Sequence, residues 1–262
     1  MDKSFEKIIS PIIKKAGEIM LSAKQIAVSA VKTGNFNFVT EYDVKVQNYL
    51  ISELSKNFPT AVFFAEEKEN DESLLSNDYC FIIDPIDGTT NLIRGYNNSS
   101  ISIALFSKGK GIFGAIYNPY LDELFTAERG KGAYLNGEKI TVSSKNFNES
   151  IVVFGTAPYY KSELGEKTFT ALKTLFLNCN DIRRSGSAAL DFCSIASGRT
   201  DVFFECRLSP WDFAAGSVIV EEAGGKITDM DGNELCFSKP CSILATNKDS
   251  HEKALHTLKT CL

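Results

Sequence analysis

Histidine is nearly absent from this chain of 262 residues, which has only two. His251 and His256 lie five positions apart in one helical run, so they point to different helix faces and make poor joint ligands. Both read as partly exposed helix residues. A Ser-His-Asp or Cys-His mechanism would need an imidazole that the rest of the chain does not supply. A run of ~20 apolar residues, as a membrane span requires, is also missing. So is an excess of basic residues: Lys and Arg number 28 against 33 Asp and Glu, a net charge of −5. That balance argues against nucleic acid or a membrane surface as a partner. There is no Walker A sequence, which excludes nucleotide hydrolysis of the P-loop type. The seven cysteines form no Cys-x-x-Cys pair and mostly sit in apolar runs. They read as reduced core residues of a cytoplasmic protein, not as a zinc or disulfide framework. The first residues, Met1 to Lys7, carry charge where a secretory leader needs an apolar core, which fits the same location.

What is present is enough to build a sizeable core, with 44% hydrophobic residues. Phe5, Ile8, Ile9, Ile12, Ile13, Ala16, Ile19 and Met20 recur at helical spacing over about residues 2–25, with Pro11 as a kink or restart. Residues 31–39 are polar and read as a mobile loop. Thr40-Glu41-Tyr42-Asp43 fits a capping box ahead of a helix that runs to Pro59. Strand patterns fill residues 99–128, and Asn136-Gly137 marks a hairpin turn. Gly109 to Gly114 satisfies G-x-G-x-x-G, but a strand follows where the dinucleotide motif needs a helix, so it reads as a hairpin turn. After Ser150, strands and helices alternate to the end, with strand 201–205 and helix 211–223 among them. This pattern predicts mixed α and β layers in one domain over 1–262, with two lobes meeting near residue 150.

The densest chemistry lies in Asp84-Pro85-Ile86-Asp87-Gly88-Thr89-Thr90-Asn91, directly after the apolar run Tyr79 to Ile83. A strand delivers two carboxylates, a glycine and two hydroxyls into one turn. Hard carboxylate oxygens suit Mg²⁺, and Asp84 and Asp87 on one turn can hold two ions side by side, as two-metal phosphoryl chemistry requires. The carbonyl of Ile86 is placed to add another oxygen. Gly88-Thr89-Thr90 reads as a helix start whose free N–H groups favour a phosphate oxygen. Glu66 and Glu67 end an earlier apolar strand, and Asp212 opens a helix-like run at Trp211 to Gly216.

The eight-residue string resembles the hallmark motif of the inositol monophosphatase family. Ala65-Glu66-Glu67 is similar to that family's Gly-Glu-Glu. Trp211-Asp212-Phe213-Ala214-Ala215-Gly216, continuing to Glu221-Glu222-Ala223-Gly224-Gly225, is similar to its second signature. Order and spacing agree over roughly residues 30 to 230. The resemblance implies a layered α/β/α/β/α sandwich of the sugar-phosphatase superfamily, and Mg²⁺-dependent hydrolysis of a phosphate monoester, most of all myo-inositol monophosphate. It implies two to three Mg²⁺ per site. Glu66, Asp84 and the Ile86 carbonyl would hold the first, Asp84, Asp87 and Asp212 the second, and Glu66 would touch a looser third. Thr89, linked to Asp43, would help activate the attacking water, with Glu66 also counted among the catalytic groups. Gly88 and Thr89 would bind phosphate through their N–H groups, and Lys32 falls at the family's mobile-loop lysine. Gly186 to Ala188 would face the sugar ring, and Glu205 would accept hydrogen bonds from substrate hydroxyls. A homodimer is implied as well.

Other members of the superfamily act on fructose 1,6-bisphosphate, 3′(2′),5′-bisphosphate nucleotides or histidinol phosphate. The latter two more often carry lysine after the first threonine, where this chain has Thr90-Asn91. Two positions depart from the pattern. Ala65 replaces the usual glycine, and Cys206-Arg207-Leu208-Ser209-Pro210 differs from the animal enzymes at the edge of the substrate pocket. An alternative of another class is an interaction protein of the transcription machinery, as the resemblance to some bacterial relatives suggests.

Overall fold

The computed structural model describes residues 4–23, 28–31 and 38–260. Lys32, Cys261 and most of the loop expected over 31–39 lie outside the described residues. The chain begins with α1 (Phe5–Leu21), β1 (Val28–Val31), β2 (Phe38–Thr40) and α2 (Glu41–Asn57). It continues through β3 (Val62–Ala65), β4 (Cys80–Asp87), the short α3 (Thr89–Ile93), β5 (Ser100–Ser107) and β6 (Lys110–Asn118). Next come β7 (Glu123–Glu128), β8 (Gly132–Leu135), β9 (Glu138–Ile140), β10 (Ile151–Phe154), α4 (Lys161–Phe176) and β11 (Asp181–Arg183). It ends with α5 (Ala188–Ala196), β12 (Val202–Leu208), α6 (Pro210–Glu222), β13 (Lys226–Thr228), β14 (Cys241–Thr246) and α7 (His251–Lys259).

Two larger sheets carry these elements. The first has the order β3-β4-β5-β6-β7-β8-β9, with only β3 and β4 parallel. The second has the order β11-β10-β12-β14-β13, with parallel pairing around β10 and antiparallel pairing around β14. Hairpins set the registers of the first sheet. Lys108 and Gly109 turn with φ of 50° and 79°, and Asn136 and Gly137 with 50° and 83°. Positive φ at both central residues matches the right-handed twist of the flanking strands. The G-x-G-x-x-G stretch is thus a turn and a strand.

The layers follow from which faces are apolar. Ile9, Ile13 and Met20 of α1 and Val46, Leu50 and Leu54 of α2 pack on one face of the first sheet. α5 and α6 fill the space between the sheets, and α4 and α7 cover the far face of the second. The result is an α/β/α/β/α sandwich. α6 is apolar on all its faces, as a helix buried on every side must be. It rests directly on β6: a side chain at Gly114 would place its Cβ 2.6 Å from the carbonyl oxygen of Ala215. Residue 150, where two lobes were expected to meet, lies between β9 and β10, and α6 beyond it packs on β4 to β8 of the first sheet.

Three details differ from the sequence expectation. β12 continues to Leu208 through a register shift beyond Glu205, so Glu205 lies inside a strand instead of ending one. Cys80, Cys193 and Cys206 are buried, but Cys179, Cys236 and Cys241 are partly exposed. His251, expected at a partly exposed position, is fully buried, while His256 is exposed. Its Nδ1 lies 3.0 Å from Thr246 Oγ1 and its Nε2 lies 3.2 Å from Thr228 Oγ1. Thr228 donates its own hydroxyl hydrogen to the carbonyl of Asp229, which assigns the imidazole hydrogen to Nε2. α7 turns this polar ring inward because two threonines from β13 and β14 satisfy it.

Burial, helped by the charge of Lys226, lowers the His251 pKa to about 4. Between pH 6.5 and 4 the unfolded chain binds a proton that the folded chain refuses, so folding stability falls as the pH drops through that window. The loss should be roughly 1–2 kcal/mol after solvent screening at the helix end. Melting curves from pH 7 to pH 4 should show a steeper fall for wild type than for His251→Gln. Equal slopes would remove His251 from the acid response.

Candidate active site

The site starts where β4 stops pairing regularly. Its register with β5 shifts between Asp84 and Asp87. Such a bulge bends a strand and re-aims its side chains. Pro85 costs no ladder hydrogen bond at this irregularity. The N–H of Ile86 donates to Asp84 Oδ1 at 3.0 Å, which fixes that carboxylate over the turn. The chain then reverses at Gly88, whose φ of 87° is left-handed. A Cβ there would also stand 3.2 Å from the carbonyl oxygens of both Asn98 and Gly186, so conformation and space both require glycine. Gly88 caps α3, and Ser99 Oγ donates to its carbonyl at 2.9 Å.

α2 approaches the same point with its N-terminus. Thr40 caps the helix, its N–H donating to Asp43 Oδ2 at 2.8 Å in the expected capping box. The other oxygen of Asp43 lies 3.1 Å from Thr89 Oγ1, which also stands 3.0 Å from the Ile86 carbonyl. Thr89 has one hydrogen for two acceptors. Burial pushes the Asp43 carboxyl up, against the hydrogen bonds from Thr40 and Thr89.

Asp212 comes from the other side. It sits in the first turn of α6, where the N–H of Ser209 donates to its Oδ2 at 2.7 Å. Trp211 beside it packs against Phe64, with ring centroids 6.0 Å apart, and serves the core. The structure brings Asp84, Asp87 and Asp212 together, with carboxylate oxygens all within 4.8 Å of one another. Their electrostatics are those of crowded anions. Burial, then the charges of Glu66, Asp87 and Asp212, pushes the Asp84 carboxyl well above the usual carboxylate range. Asp212 is raised in the same way by burial, Glu66 and Asp87. Asp87 is raised by burial, but the Ser187 hydroxyl and the N–H groups of Ala188 and Ala189 hold it back, with Ala189 at 2.9 Å.

The whole chain, residues 1–262, matches the family model described as the inositol monophosphatase family. The chain belongs to that family. It is 37% identical over 221 residues to the Nus factor SuhB of Escherichia coli K12, covering 84% of this chain and 82% of that one. It is 36% identical over 252 residues to inositol monophosphatase 3 of Solanum lycopersicum, covering 93% of each. The solved structure of an IMPase/NADP phosphatase complexed with Mg²⁺ and phosphate superposes with a TM-score of 0.86. It is 27% identical, covering 96% of this chain and 94% of that one.

Glu66 directly follows β3 and acts electrostatically on Asp84 and Asp212. Glu67 is partly exposed, and its N–H donates to Gln47 Oε1 at 2.8 Å. Gly186 abuts Gly88, while Ala188 turns its N–H toward Asp87. Glu205 is 6% exposed and not solvated. Its Oε1 accepts from the N–H of Ala157 at 2.7 Å, and its carboxylate fills the space where a side chain at Gly155 would stand. Arg183 pairs with Asp181, whereas Arg184 reaches Thr156 at 3.4 Å and pulls electrostatically on Glu205. Sequence reasoning placed Ser187 only within the Gly186–Ala188 segment, without its bond to Asp87, and missed Tyr159. Ser187 was findable as the N-cap of α5, with its hydroxyl on Asp87. Tyr159 carried no signal. Its side chain is exposed by area, yet desolvation and the charges of Glu66, Asp212, Asp84 and Asp87 raise its pKa.

The donor set fits a hard divalent cation. Oxygen ligands converge, and a cation would reverse the raised carboxyl pKa values.

Glu205 gives a pH test of this burial. Desolvation, outweighing the Ala157 hydrogen bond, raises its pKa to about 7. The folded chain therefore binds an extra proton between pH 4.5 and 7, and stability falls as the pH rises through that window. In metal-free protein, the stability of Glu205→Gln relative to wild type should increase by about 2–3 kcal/mol from pH 4.5 to pH 8. Denaturant titrations at both pH values check this. A constant difference would mean that Glu205 ionises normally.

Proposed function

We propose that the protein is a Mg²⁺-dependent phosphomonoesterase whose preferred substrate is an inositol monophosphate or a closely similar phosphorylated polyol. The single observation that carries this reading is the convergence of Asp84, Asp87 and Asp212 within 4.8 Å, on a chain of the inositol monophosphatase family. Glu66, Asp84 and the Ile86 carbonyl would hold one Mg²⁺, and Asp84, Asp87 and Asp212 a second, with Glu66 also near a looser third. When bound, such ions polarise the phosphoryl oxygens and acidify water.

The chain's own residues supply the rest. Thr89 and Asp43 form a hydrogen-bonded pair at 3.1 Å beside the turn. Asp43, raised by burial, is a suitable acceptor for the proton that an attacking water loses through the Thr89 hydroxyl. The Gly88–Thr89 backbone begins a short helix whose N–H groups favour phosphate oxygens. Glu205 and the Gly186–Ala188 segment approach from the second half of the chain and would orient the polyol. A carboxylate accepts hydrogen bonds and repels a second phosphate, which favours a hydroxyl-rich monophosphate over a bisphosphate. A second reading, action within transcription, is favoured by the identity with proteins named Nus factor SuhB.

Phosphate release from a panel of monophosphates and bisphosphates, with Mg²⁺ and with EDTA, tests the activity. Release should require Mg²⁺, and Asp84→Asn should retain less than a tenth of the wild-type rate, a loss of at least ~1.4 kcal/mol in transition-state stabilisation. A chain that releases no phosphate from any substrate would leave the interaction reading, and release that is equal in EDTA would overturn the Mg²⁺ requirement. Glu205→Gln should lower kcat/KM for inositol monophosphate roughly ten- to a hundredfold more than for an aryl phosphate, the value of a hydrogen bond to a charged group. Equal losses on both substrates would assign Glu205 to the fold.

A further inference from the structure

The connection between β13 and β14 carries a feature unrelated to the carboxylate site. Cys236 and Cys241 flank the bend Phe237-Ser238-Lys239-Pro240, and both are partly exposed. The Sγ of Cys241 lies 3.9 Å from the carbonyl oxygen of Cys236, so one sulfur rests on the other residue's backbone. The Sγ of Cys236 stands 3.4 Å from Ser238 Oγ. Phe237, between the cysteines, is anchored in the core against Phe106 and Phe213, at centroid distances of 4.8 and 5.4 Å. The bend is therefore held in shape while both thiols remain reachable.

The two thiols also differ chemically. Hydrogen bonds from the Ser238 hydroxyl and from the N–H groups of Ser238 and Lys239, with the Lys239 charge, lower the Cys236 pKa. Burial, with the charge of Cys236 adding to it, pushes Cys241 up to about 11. Among the described cysteines, Cys80, Cys179, Cys193 and Cys206 are all raised, burial being the largest cause. Nucleophilic sulfur is thiolate sulfur, so Cys236 stands apart.

The geometry points to Cys236 and Cys241 as an oxidation site for hydroperoxides, closing a reversible disulfide across the Phe237–Pro240 bend. The Cys236 thiolate attacks one peroxide oxygen, the O–O bond breaks, and the second oxygen leaves as water after taking a proton. Cys236 is then a sulfenic acid. The Cys241 sulfur attacks the Cys236 sulfur, the S–O bond breaks, and hydroxide leaves as water with the Cys241 proton. Two thiols lose two electrons and two protons, and one hydrogen peroxide becomes two waters.

The test uses the full chain, reduced, freed of reductant and exposed to hydrogen peroxide in slight excess. Trypsin does not cut Lys239–Pro240, so both cysteines stay in the peptide Ile227–Lys248. Without reduction that peptide should become about 2 Da lighter and resist alkylation, and dithiothreitol should restore it. Cys241→Ser should trap Cys236 as a dimedone adduct, and Cys179→Ser should leave the closure unchanged. Cys236 should be consumed at least tenfold faster than Cys179. A peptide that keeps its mass with both thiols alkylatable would overturn the site, as would Cys236 advancing to sulfinic acid in wild type while Cys241 stays free. Neither result depends on phosphatase activity.

Discussion

Repulsion between buried carboxylates is the constraint that the rest of this structure answers. Asp84, Asp87 and Asp212 place oxygens within 4.8 Å of one another. Each ionised pair at that range repels by about 3 kcal/mol at an effective dielectric constant near 20. No local interaction would hold such groups together. They are held because their backbones cannot move. β4 is paired with β3 up to Ile83 and with β5 at both Asp84 and Asp87, and α6 is wedged between two sheets. Apolar packing on the scale of the whole domain thus sustains a cluster that a cation relieves. Proton release should accompany cation binding, because the raised carboxyl groups must ionise to serve as ligands.

Helix N-termini provide the second part of that balance. α2, α3, α5 and α6 all begin at the cleft, carrying Asp43, Gly88, the N–H groups beside Asp87 and Asp212 respectively. Each N-terminus presents partial positive charge. Asp87 shows the effect directly, since N–H groups from the first turn of α5 hold its carboxyl down against burial. A site with crowded carboxylates and converging N–H groups suits cations and an anionic ligand together, more than either one alone.

The two halves of the chain contribute unlike things. The first supplies the turn, the hydrogen-bonded pair of Thr89 and Asp43, and Glu66. The second supplies Asp212, Glu205 and the start of α5. Glu205 is the most altered by its surroundings: inside β12, against Gly155 and the Ala157 N–H, it is raised to about 7. Its protonation state near neutral pH therefore depends on the position of the 155–160 segment, whose Tyr159 also feels the charges of the carboxylates.

Local signals in the sequence were strong enough to determine much of this. The Thr40–Asp43 capping box, the Asn136-Gly137 turn, the rejection of the G-x-G-x-x-G stretch and the α-helix after Asp212 all depend on neighbours within a few residues. The structure shows each of them. The Asp84–Asn91 string was legible through its resemblance to the inositol monophosphatase motif, and the structure places its two carboxylates on one bulged turn beside Asp212. Only tertiary structure decided the rest. His251 looked like an exposed helix residue until two threonines from other strands enclosed it. Glu205 looked like a strand end until a register shift carried β12 onward to Leu208 and buried it. Tyr159 has no pattern in its neighbourhood and comes within the electrostatic reach of four carboxylates only through the fold. Backbone preference is written in short-range sequence, whereas burial and charge environment are sums over residues far apart in the chain.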